Sequence, residues 1–113
     1  MKKNIVLVED DEGIRQMILS ALKEKGHEVV AASNQTEALA ALGERRIDLL
    51  LVDVVISHSA EGIELVREAL ERTSSLVCVL MSGSHQYKVD AQDLGVHFLP
   101  KPFGLEELYA LCE

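Results

Sequence analysis

The sequence predicts an α/β fold, a doubly wound five-stranded parallel sheet with helices on both faces. Three observations carry that reading. Five short apolar runs are continuous rather than alternating, as strands buried on both faces are. Each run is followed by a segment with helical spacing or helix-end residues, and right-handed crossovers then cover both faces of the sheet. At 113 residues and 48% apolar composition, the chain has the size and hydrophobic content of one domain, residues 1–113, with a core of its own.

Ile5 to Val8 is the first strand. From Ile14 onward, Met17, Ile18, Ala21 and Leu22 recur at helical spacing. "KEKG" ends that helix, with Lys23 and Lys25 near its negative end and Gly26 as its cap. Between strand and helix stand four consecutive acids, Glu9 to Glu12, of which Asp11 and Glu12 suit the helix's positive end. "HEVVAA" is the second strand. In "NQTE", Asn34 is an N-cap with Glu37 three positions on, opening a helix that runs to about Leu42. "IDLLLVDVVI" is the third strand, "EGIELVREALERT" the third helix and "LVCVLM" the fourth strand. "HQYKVDAQDLG" has few apolar anchors and reads as a weak, polar helix. "VHFLP" is the fifth strand and "LEELYALC" a short final helix.

With only 4% aromatic residues, the core must be built from Val, Leu, Ile and Ala. The formal net charge of −8 would repel nucleic acid and anionic membranes, and it suits a soluble protein that binds cations or basic partners. No basic recognition helix is visible. Cys78 and Cys112 are far apart and form no CxxC unit, which points to reduced thiols and a cytoplasmic setting. No apolar run approaches the ~18 residues of a membrane span, and "MKKN" has no signal-peptide pattern.

In a doubly wound sheet, ligands bind beyond the carboxyl ends of the strands, where strand order reverses. The first strand ends in Glu9 and Asp10, the third at Asp53, the fourth in Ser82 and the fifth in Lys101. Three carboxylates converging on one edge suit Mg²⁺, which takes a few carboxylates and keeps several waters. The ion would relieve a repulsion that otherwise raises at least one carboxyl pKa. Lys101, a compact point charge, suits an anion such as phosphate. Asp53 interrupts an apolar run, where a lone acid costs stability unless paired or metal-bound. A salt bridge to Lys101 would explain Asp53 but not Glu9 and Asp10. As a nucleophile, Asp53 could accept a phosphoryl group and form an acyl phosphate.

"VLVEDD", "LLLVD", "VLMSGS" and "FLPKPF", in that order, resemble the receiver domain of two-component response regulators, over nearly the whole chain. The resemblance implies a flavodoxin-like strand order 2-1-3-4-5. It implies that Asp53 accepts a phosphoryl group from the phosphohistidine of a histidine kinase or phosphotransfer protein, with Mg²⁺ held by Glu9, Asp10, Asp53 and the Val55 carbonyl. Asp10 and Asp53 would bind the ion directly, and Glu9 directly or through water. Ser82 would supply the hydroxyl that turns toward the phosphoryl group, Lys101 its cationic contact, and Phe98 the switch aromatic, moving from exposed to buried. A cis peptide is implied at Lys101–Pro102. The output would pass to a downstream effector through the surface of the fourth helix, fifth strand and fifth helix.

The chain departs from the family pattern in places. The loop "VVISHSAEG" lacks the usual Met-Pro, and Gly62 stands nine residues past Asp53 instead of eight. His58 in that loop is expected to face solvent. "GVHFLPKPF" is one residue shorter than usual between Gly95 and Phe98. The short final helix fits a minimal receiver or one cut from a larger protein. A flavodoxin's first loop would be rich in hydroxyls and glycines rather than acids, and an aspartate-nucleophile phosphatase would want a second acid where Val55 stands. The alternative left open is a pseudo-receiver, an interaction module that is not phosphorylated.

Overall fold

A computed structural model describes residues 2–113; Met1 lies outside the described residues. The elements are β1 (Asn4–Val8), α1 (Glu12–Glu24), β2 (Glu28–Ala32), α2 (Gln35–Glu44), β3 (Leu49–Asp53), α3 (Glu61–Arg72), β4 (Val77–Ser82), a 3-10 turn (His85–Tyr87), α4 (Lys88–Leu94), β5 (His97–Pro100) and α5 (Leu105–Cys112). All strand pairs are parallel, in the order β2-β1-β3-β4-β5. The expected doubly wound sheet and its strand order are both present.

Side-chain alternation along the strands divides the core in two. Val6, Val8, Leu50, Val52, Cys78 and Leu80 face the layer of α2, α3 and α4. Ile5, Leu7, Leu49, Leu51, Val79 and Met81 face the layer of α1 and α5. Because both faces are covered, both sets are apolar, which is why these strands read as unbroken runs. Cys78 and Cys112 belong to opposite layers and are free thiols; burial pushes them up to about 12 and about 11 respectively. Among the described residues, no helix is long and apolar enough to cross a membrane.

Local chemistry sets the helix ends. The Asp11 side chain accepts the Ile14 N–H at 2.9 Å and caps α1, so the helix starts at Glu12, two residues before the apolar spacing begins. Past α1, Gly26 takes the left-handed conformation, φ 91°, that ends it. Asn34 caps α2 through the Glu37 N–H, and the Glu37 carboxylate reaches back to the Ser33 N–H and hydroxyl, which holds its own pKa down. α2 continues two residues past Leu42, to Glu44.

The third apolar run is longer than its strand. β3 stops at Asp53, and Val54 and Ile56 are buried outside the sheet, in the loop that follows. Continuous apolarity marks burial, and a buried loop satisfies it as well as a strand does. The polar segment 85–95 forms the 3-10 turn and then only seven residues of α4, ended by Gly95 at φ 71°. α5 spans the expected residues.

Candidate functional site

Sheet register lines up the site. Val8 pairs with Val52, so Glu9 and Asp53 emerge side by side from β1 and β3, where strand order reverses. Asp53 pairs with Met81 and Ser82 with Pro100, which brings Ser82 one residue past the Asp53 row, and Lys101 one residue further, to the same carboxyl edge. The Lys101–Pro102 peptide is cis, as expected.

Glu9, Asp10 and Asp53 each offer a carboxylate oxygen, all within 4.8 Å of one another. Glu9 is 1% exposed and Asp53 8%, whereas Asp10 faces solvent. The Lys101 ammonium lies 2.8 Å from Glu9 Oε1 and 2.7 Å from Asp53 Oδ2. The salt bridge weighed for Asp53 therefore exists, and it is shared with Glu9. Burial is the largest cause that raises the Glu9 carboxyl above its ordinary range; Lys101 opposes it and Asp53 adds to it. A raised pKa was expected from mutual repulsion, but desolvation leads. For Lys101 burial alone acts downward, yet the hydrogen bonds to Asp53 and Glu9 outweigh it and the pKa is raised.

Three carboxylates against one ammonium leave a formal charge of two negatives at this edge. That imbalance, the hard oxygen donors and the solvent-facing Asp10 fit Mg²⁺, which keeps several of its waters. Ser82 is 4% exposed, and its Oγ accepts the Ser84 N–H at 3.0 Å, leaving the hydroxyl proton free to donate. Val55 donates its N–H to Asp53 Oδ1 at 3.2 Å. Phe98 is half-buried rather than exposed, packed against the α2–α4 layer with Tyr87, Leu94 and Val96.

The β3–α3 loop absorbs its extra residue in a tight turn. Ile56 and Ser59 exchange both backbone hydrogen bonds, at 2.9 and 3.1 Å, around Ser57 (φ 53°) and His58 (φ 67°). Positive φ at both central residues is the pattern of a type I′ turn. His58 is exposed, as expected. Gly62 then returns to the strand end, its N–H on the Val54 carbonyl at 2.9 Å.

The sequence matches the response regulator receiver domain family over residues 5–113. The chain belongs to that family. Relatives of this receiver include the KDP operon transcriptional regulatory protein KdpE of Escherichia coli, 33% identical over 109 residues. That match covers 95% of this chain and 48% of KdpE. The phosphate regulon transcriptional regulatory protein PhoB of Pseudomonas aeruginosa is 32% identical over 113 residues, covering 96% of this chain and 49% of PhoB. The receiver thus spans about half the length of the curated relatives it matches. Among solved structures, NtrX from Brucella abortus aligns with a TM-score of 0.90 at 29% identity, over 99% of this chain and 27% of that one. Chemotaxis protein CheY4 of Vibrio cholerae aligns at 0.87 and 26% identity, over 99% and 97% of the two chains. TrrA of Thermotoga maritima, solved in complex with Mg²⁺-BeF, aligns at 0.86 and 26%, over 96% and 94%.

Two features of this receiver's site were not anticipated. Arg15 donates to the Glu9 carbonyl at 2.9 Å and the Asp10 carbonyl at 3.5 Å, tying α1 to the acidic turn. The Ser57 N–H donates to Asp10 Oδ2 at 2.9 Å. A loop without proline hinted that this amide was available, but the contact joins residues 47 apart.

Proposed function

We propose that this receiver is a phosphorylatable switch with Asp53 as the phosphoacceptor. The observation that carries the reading is a nearly buried Asp53 beside two acids and the Lys101 ammonium at the switch point of the sheet. The Lys101 salt bridge takes in Asp53 and Glu9 but gives no reason for Asp10 at that edge. One oxygen of Asp53 attacks the phosphorus of a phosphohistidine; the O–P bond forms, the P–N bond breaks, and the imidazole leaves with the electron pair. Glu9, Asp10, Asp53 and the Val55 carbonyl would hold Mg²⁺, which supplies positive charge against the transferred group. Lys101 supplies a further cation at Asp53, and the free hydroxyl proton of Ser82 is available to a phosphoryl oxygen.

The donor is a histidine kinase or phosphotransfer protein in the cytoplasm, and the reader of the switched surface is a downstream effector. The Mg²⁺-BeF complex of the neighbour TrrA supports the same chemistry here. Incubation with acetyl phosphate and Mg²⁺ is expected to give one acid-stable, base-labile phosphoryl group per chain. The group should be lost with a chelator and in Asp53→Asn. Incorporation that survives Asp53→Asn would move the phosphoacceptor to another residue, and none in the wild type would leave the interaction-module reading in its place.

A further inference from the structure

Asp10 is the exposed member of the acidic trio, and a free aspartate side chain on a surface turn samples several rotamers. Here it is held from both ends. Arg15 approaches the Asp10 carbonyl at 3.5 Å, and the Ser57 N–H takes one carboxylate oxygen, Oδ2, leaving Oδ1 without a partner among the described residues. The Ser57 amide can point at Asp10 because the Ile56–Ser59 turn presents it. Ile56, fully buried, anchors one side of that turn, and the Ser59 hydroxyl on Glu61 ties the other to α3. Serine and histidine at positive φ cost energy that glycine would not, so the turn is held in this shape by its anchors.

We infer that Ser57 is a positioning residue: its backbone amide orients the Asp10 carboxylate toward the position between Glu9 and Asp53 where a divalent cation binds. The inference rests on the metal reading of that trio. Its physical content is preorganisation, since a ligand already fixed in its bound rotamer loses less freedom when the ion arrives. By linkage, cation binding must in turn favour the Ile56–Ser59 turn by the same factor. The side chain of Ser57 has no part in this; only its N–H does.

The test separates amide from side chain. Replacing Ser57 by its α-hydroxy analogue, introduced by semisynthesis, turns the N–H into an ester oxygen while keeping chain length. Ser57→Gly keeps the N–H and accepts positive φ. Mg²⁺ affinity is read by NMR titration of the Val54, Val55 and Gly62 amides, with no phosphorylation involved. The ester is expected to weaken Mg²⁺ binding by about three- to ten-fold, and Ser57→Gly to match or exceed wild type. The Ser57 amide should also be protected from exchange in the wild type and lose protection in Asp10→Ala. Equal or tighter binding in the ester, with the wild type binding normally, would overturn the positioning role alone. A wild type that binds no Mg²⁺ at millimolar concentration would overturn the metal reading and this inference together.

Discussion

At Gly62 a Cβ would stand 2.1 Å from the Asp53 carbonyl oxygen and 2.9 Å from the Cα and carbonyl oxygen of Val54. Those are backbone atoms and cannot swing aside as a side-chain end could. Any side chain at 62 must push α3 away from β3 or drag the Asp53 backbone with it. Gly62→Ala is therefore expected to cost about 3 kcal/mol in urea unfolding and to reduce phosphorylation of Asp53. Stability within about 0.5 kcal/mol of wild type would show that the helix accommodates the methyl group. The unusual spacing to Asp53 also makes sense here. The extra residue goes into the turn at Ser57 and His58, so Gly62 still reaches the strand end. Sequence flagged the spacing and the missing proline. It could not show the turn, because Ser57 gives no signal of positive φ and a single histidine gives only a weak one.

Among the elements, β1, β3 and β4 were the most legible, because burial on both faces keeps their interiors apolar, although the run at β3 continued past the strand's end at Asp53. α4 was the least certain, and the structure explains why. It has seven residues, one fully buried, Ala91, and an exposed Val89. Few apolar anchors make it the element most easily repacked. The loop into it begins at Ser82, whose Oγ accepts from Ser84, and Phe98 on the neighbouring strand is already half inside. The proposed switch is thus a shorter movement than an exposed-to-buried flip. In that proposal Ser82 would swing toward a phosphoryl group on Asp53, its loop would follow, and Phe98 would complete its burial. Adding beryllofluoride and Mg²⁺ should shift amides along α4 and β5 in the wild type and far fewer of them in Ser82→Ala. Shifts confined to residues around Asp53, or equal propagation in Ser82→Ala, would remove Ser82 from the switch.

At the edge opposite the site, Lys23 and Arg72 lie in the last turns of α1 and α3, and Arg45 and Arg46 follow α2, beside the acids Glu24, Glu44 and Asp48. Cations there complement the helix dipoles, and the site edge keeps its excess of negative charge for a cation to neutralise. At the far edge His27 is 8% exposed and accepts the Lys3 N–H on Nδ1 at 3.1 Å. Burial first, then nearby positive charge including Lys3, lowers its pKa below the ordinary 6.5. The folded protein therefore takes up this proton less readily than the unfolded chain. His27 costs no stability above pH 6.5, and stability falls as pH drops from there toward the folded pKa. In His27→Asn the slope of unfolding free energy against pH over that range should flatten; an unchanged slope would assign the acid sensitivity to other groups.

The convergence of Glu9, Asp10, Asp53, Ser82 and Lys101 was legible because each follows or interrupts an apolar run, and a parallel sheet brings such positions to one edge. What was not legible was the sharing of Lys101 between two acids and the hold of Ser57 on Asp10, which depend on tertiary distances. Everything proposed for the site depends on one covalent event at Asp53. Borohydride reduces an aspartyl phosphate to homoserine, marking the phosphorylated position permanently. After treatment with acetyl phosphate and Mg²⁺, reduction and proteolysis, mass spectrometry should find homoserine at position 53 alone. Homoserine at Glu9, Asp10 or another carboxylate, or none anywhere in a folded and Mg²⁺-saturated sample, would contradict the account.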